Sequence, residues 1–99
     1  MTVAFDEVVT KISEATRRVE ADAGASPVLV AVVHEFQSKL TKAETNAVDG
    51  APTHDSILEL EQAGDSAKYA AEADPGLSSD SRESVLAAHL AICMLKAGA

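Results

Sequence analysis

Three histidines, a single cysteine and a few paired carboxylates are the side chains from which this 99-residue chain could build a site. His34, His54 and His89 fall in three separate segments, and helical bundles make metal sites from inward-facing Glu and His. The dinuclear pattern Glu-x-x-His is missing, because none of the three has Glu three residues before it. His54, Glu61 and Asp65 do share one side of a helix at spacings of seven and four, a set that could hold a hard or borderline cation. The competing reading is a hydrated polar face. His89 and Cys93 stand four apart and are neighbours on a helix. An imidazolium there, with Arg82 and Lys96 nearby, would favour a thiolate. Against that, Leu86, Leu90 and Ala97 surround the cysteine and no resolving cysteine exists, so a structural thiol is expected. Asp55 and Glu59 have paired-carboxylate spacing but lie on a polar side, without the apolar pocket that raises a pKa for acid–base work. Gly-rich phosphate loops, nucleophile elbows and His-Glu-x-x-His are all missing. The expectation is a protein that is not an enzyme and takes no cofactor.

His34 stands apart. Its wheel position points away from the apolar face of its helix, so it should be exposed. A helical bundle with an exposed histidine resembles in outline the histidine phosphotransfer domains of bacterial signalling. Those domains place Lys three residues after the phosphorylated His, with Gly following. Here Gln37 follows His34 at that spacing, Ile92 follows His89, and Lys39 lies on the wrong side. The resemblance covers architecture and implies His34 as the phosphoacceptor.

Four helices must position these side chains. The first is predicted over 3–21, where Phe5, Val8, Val9, Ile12, Ala15, Thr16 and Val19 recur at spacings of three and four. Thr2 is its expected cap. The second, over 27–45, starts at Ser26–Pro27, a good cap followed by a residue with no N–H to strand. Its run Val28–Val33 is β-branched, yet the cap, the length and the continuation through Phe36, Leu40 and Ala43 favour helix. Val28, Leu29, Val32 and Val33 join those three on its apolar face. After a turn-rich link centred on Asp49–Gly50, Thr53 caps a third helix over 54–73. Its stripe is Ile57, Leu60, Gly64, Ala67 and Ala71, with Leu58 and Tyr69 off it. Gly64 costs about 1 kcal/mol against Ala, offset if a neighbour approaches closely.

Asp74–Pro75–Gly76 stops that helix, and Asp80 with Glu83 resembles a capping box for a fourth over 81–97. This last helix is apolar almost all round, with Arg82, His89 and Lys96 forming one basic line that can pair with neighbouring acids. Such a helix must be buried on most sides or meet another molecule. Val85, Leu86, Leu90, Met94 and Leu95 are expected in the core or in an interface, roles that periodicity alone cannot separate. Solenoid-period repeats, sustained heptads and low-complexity segments are not found.

Composition narrows the class. Hydrophobic residues make up 46% and aromatics only 3%, so a small-aliphatic core of packed helices is expected. One cysteine excludes an intrachain disulfide framework. No apolar run is long enough to span a bilayer, and MTVAFDEVV lacks a signal-peptide pattern, so a cytoplasmic protein is expected. Net charge of -8 disfavours direct binding to nucleic acid or anionic membrane. Dispersed acids favour solubility over phosphate mimicry. Together these features predict an all-α, four-helix bundle-like single domain spanning 1–99. Its expected role is protein–protein contact, with self-association through the last helix, to a homodimer or higher.

Overall fold

The computed structural model describes residues 4–98 and contains four helices: α1 (Phe5–Ala21), α2 (Pro27–Thr45), α3 (His54–Glu72) and α4 (Ser79–Gly98). Each helix packs along the two that precede and follow it, and α4 closes the ring onto α1. Pairs across the seams run in opposite directions: Glu20 meets His34, Glu59 meets Lys42, and Asp65 meets His89. The result is an all-α, up-down-up-down bundle of 40 × 26 × 18 Å. None of the described helices is long and apolar enough to cross a membrane.

The predicted periodicity survives in the core. Val8, Ile12, Ala15 and Val19 of α1 are buried, as are Leu29, Val33, Phe36, Leu40 and Ala43 of α2. Val28, assigned from sequence to the apolar face of α2, is instead 68% exposed, because it lies in the first turn where no neighbouring helix covers it. Ser26 caps α2 by accepting from Leu29 N–H at 3.2 Å, and Thr53 caps α3 by accepting from Ser56 N–H at 3.2 Å. Thr2 lies outside the described residues; Ala4 occupies the N-cap of α1 without a side-chain bond. The capping-box reading of Asp80 is corrected. Ser78 accepts from Ser81 N–H at 3.2 Å, and α4 begins two residues early, leaving Asp80 in the first turn.

Gly64 does not bring two backbones together. A Cβ there would lie 3.3 Å from Phe36 Cζ and 3.3 Å from Ile92 Cγ2, so the missing side chain makes room for the phenyl ring. Burial of that ring offsets the helix penalty of glycine.

At one end of the bundle the α1–α2 and α3–α4 links form a reciprocal clasp. Asp22 Oδ1 accepts from its own Gly24 N–H at 2.9 Å, and Oδ2 from Ser78 N–H across the gap at 3.0 Å. Asp74 repeats the arrangement with Gly76 N–H at 3.1 Å and Ser26 N–H at 2.8 Å. Both links carry Glu-Ala-Asp-x-Gly-x-Ser, at Glu20–Ser26 and again 52 residues on (Asp22 to Asp74) at Glu72–Ser78. The same offset aligns buried positions: Val8 with Leu60, Ile12 with Gly64, Val19 with Ala71, Leu29 with Ser81, Val33 with Val85, Leu40 with Ile92. The bundle is one helical hairpin built twice. Phe36 against Gly64 on the α2–α3 seam has its counterpart in Ala88 and Ile12 on α4 and α1, large paired with small in opposite senses.

The clasp carboxylates are held ionised. Hydrogen bonds from Ser78 N–H, then the Ser81 hydroxyl and Gly24 N–H, bring Asp22 down to about 2. Ser26 N–H, and then Gly76 N–H, lower Asp74 against the opposing effect of burial. A carboxylate with a depressed folded-state pKa stabilises fully above its unfolded value, and that stability is lost as pH falls through the folded one. Asp22→Asn is therefore expected to lower the urea midpoint at pH 6. The difference from the unaltered chain should shrink as pH falls from about 4 towards 2. A difference independent of pH over that window would contradict this account of the clasp.

Candidate functional site

Three surfaces carry the side chains singled out from sequence. On the α3–α4 seam, the Arg82, His89 and Lys96 line turns towards α3. Lys96 Nζ meets Glu61 Oε1 at 2.9 Å, and His89 Nε2 meets Asp65 Oδ1 at 2.8 Å. Arg82 donates to the carbonyls of Asp74, Leu77 and Ala71, closing the C-terminal end of α3. The expected pairing of this line with neighbouring acids holds at His89 and Lys96. These partners include two of the three candidate metal ligands. Glu61 and Asp65 are engaged by α4, His54 is exposed at the start of α3, and no three His, Cys, Asp or Glu among the described residues gather to hold an ion. Spacings of seven and four place the three on one side of α3, and Lys96 and His89 of the next helix engage Glu61 and Asp65.

Cys93 Sγ lies 3.6 Å from the same His89 Nε2 that meets Asp65. One nitrogen faces both groups, so the carboxylate and the thiol compete for it and no relay through the ring exists. Burial pushes the Cys93 pKa up, and Glu61 and Asp65 add to the rise. The thiolate-favouring effect expected from nearby cations is outweighed. The thiol stays protonated at neutral pH and acts as a small apolar group. Glu59 has the opposite shift: Lys42 and then Lys39 lower its pKa, holding it as a carboxylate and not as a proton donor.

The α1–α2 seam opens into a polar groove containing His34, Arg17, Ser13 and Ser38. His34 is exposed, as its wheel position predicts, and its Nε2 sits 2.8 Å from Glu20 Oε2. A phosphoryl group arriving at that nitrogen would meet a carboxylate first. Like charges oppose such an approach.

The third surface is the outer line of α4. Val85 is completely buried within the core cluster. Met94 and Leu95 pack partly against the core, Leu86 is half-buried, and Leu90 is 59% exposed. The residues grouped as core or interface thus separate by wheel position. The bundle leaves Leu86, Leu90 and Met94, at i, i+4 and i+8, on the side of α4 facing away from α1 and α3. Tyr69 of α3, 69% exposed, borders this line, with the Lys68 ammonium 6.0 Å from its ring centre. The Asp65–His89 and Ala71–Arg82 bonds fix the antiparallel register, which sets Tyr69 level with Leu86.

The internal repeat serves as a control for this surface. The 52-residue offset equates Tyr69 with Arg17, Leu86 with His34, Leu90 with Ser38, Cys93 with Thr41 and Met94 with Lys42. At five equivalent outer positions the first hairpin is polar and the second apolar. The first hairpin folds with polar residues at these positions, and the exposed members of the apolar set, Leu90 above all, contribute little to the core. The repeated clasp string was the signal available in the sequence that leads to this comparison. The chain matches no known protein-family model, and no curated protein or solved structure matches it either.

Proposed function

We propose that the protein is a small acidic contact module that recognises a second copy of itself through the outer face of α4. The observation that carries this reading is Leu90, 59% exposed between Leu86 and Met94, where the equivalent of the first hairpin is Ser38. Contact, and not catalysis, is the role such a surface suits. The face is self-complementary about Leu90. Antiparallel pairing of two α4 helices sets Leu86 of one copy against Met94 of the other. Elsewhere the net charge of -8 repels a second copy, which confines pairing to this side.

Light scattering on a sizing column, over a wide range of concentration, tests the proposal. The mass is expected to rise from 10.3 kDa towards twice that value. Leu90→Glu should weaken association at least tenfold, about 1.4 kcal/mol or more, while helical content stays unchanged. Val28→Glu, at a position more exposed than Leu90 but on α2, should leave the mass curve alone. A chain that stays at 10.3 kDa throughout would remove the proposal.

A further inference from the structure

A helical hairpin that exists twice in one chain raises the question of what binds a hairpin to its mate. The two seams between hairpins, α2–α3 and α1–α4, are the broadest in the bundle, and the α1–α2 seam inside the first hairpin is the thinnest. Each hairpin therefore depends on the other for its core. The recognition elements all lie within the hairpins. Asp22 seeks Ser78 N–H, Asp74 seeks Ser26 N–H, and Phe36 fills the space over Gly64. None of them lies in the link between α2 and α3.

That link, residues 46–53, sits at the end opposite the clasp. It is closed by a local turn in which Val48 and Ala51 exchange two backbone bonds of 2.9 and 3.0 Å. Val48, Asp49, Gly50 and Ala51 are exposed, and Asp49 holds a left-handed φ of 53° that an extended link would release. The link's exposed turn at 48–51 contributes proximity and no core packing. Its effect is to raise the effective concentration of one hairpin near the other.

We infer that a second copy of this chain can supply either hairpin. In the resulting exchanged dimer α1 and α2 of one chain pair with α3 and α4 of the other, and both halves of each clasp come from different chains. Every seam and clasp bond of the monomer is kept, and only the turn at 48–51 opens.

The test uses the full chain carrying Leu90→Glu, which removes the outer α4 face from consideration. Concentrated protein held at its thermal midpoint and then cooled is expected to contain a fraction at twice the monomer mass that persists after dilution. A second variant deletes residues 47–52, so that Asn46 runs into Thr53 and too little chain remains to reverse direction. It is expected to be helical and wholly dimeric. Only monomer after cooling, or a shortened chain that folds as a monomer or fails to fold, would overturn the inference. A dimer abolished by Leu90→Glu belongs to the α4 face instead, so the two associations are told apart.

Discussion

Replacing Gly24 by alanine is expected to cost about 3 kcal/mol and to lower Tm by roughly 10–20 °C in a domain of this size. A Cβ at Gly24 would lie 1.9 Å from the carbonyl oxygen of Gly76 and 2.9 Å from its carbonyl carbon. Both are backbone atoms and neither can rotate aside. The α1–α2 and α3–α4 links must separate, and the bonds from Ser26 N–H to Asp74 and from Ser78 N–H to Asp22 lengthen together. Gly76→Ala should behave alike, since its Cβ would meet the Gly24 carbonyl oxygen at 2.5 Å. Gly50→Ala provides the contrast. It has open space around it and a φ of 78°, so it should lose only the conformational cost of about 1–2 kcal/mol. Thermal unfolding by circular dichroism gives all three values. A Gly24→Ala protein melting within a few degrees of the unaltered chain would show that the two links are not locked.

Phe36→Ala is expected to be as damaging, at about 3–5 kcal/mol, because the ring is the largest fully buried side chain in the core. Its position over Gly64 gives the measurement a second reading. Gly64→Ala alone puts a methyl 3.3 Å from both Phe36 Cζ and Ile92 Cγ2, closer than ordinary contact, so crowding opposes the gain in helix propensity. In the Phe36→Ala background the contact with the ring is gone, and the space it leaves lets the flexible end of Ile92 give way. The same Gly64→Ala change should then stabilise by about 1 kcal/mol, the intrinsic preference of Ala over Gly in a helix. The two substitutions are predicted to couple, and urea denaturation of the four proteins measures the coupling. Strict additivity would mean that Phe36 and Gly64 do not share the space assigned to them.

Much of the helical layout was legible in the sequence because helices are local. Apolar residues at spacings of three and four, Ser26 before Pro27, and Thr53 before the third helix mark spans within a residue or two of those observed. His34 was legible as exposed for the same reason. The burial of Val85 beside the exposure of Leu90 was not, since α4 is apolar on nearly every side and its wheel shows no single dry face. Only the positions of α1 and α3 on its flanks select which leucines remain outside. Asp74 reads from sequence only as part of a helix stop and Asp22 draws no reading at all, although the two sit in strings that share Glu-Ala-Asp-x-Gly-x-Ser and can be matched.

Sequence alone determined which segments become helices, where most of them start, and that the core is built of small aliphatics, because propensity, capping and periodicity act over a few residues. Tertiary structure decided what each charged or exposed side chain does. Asp22 finds Ser78 at a separation of 56 residues, Asp65 finds His89 at 24, and Glu61 finds Lys96 at 35. Such partners are set by which helices lie side by side, and that order is a property of the packed bundle. It turns one candidate metal ligand towards a lysine, another towards a histidine, and leaves Leu90 facing outward.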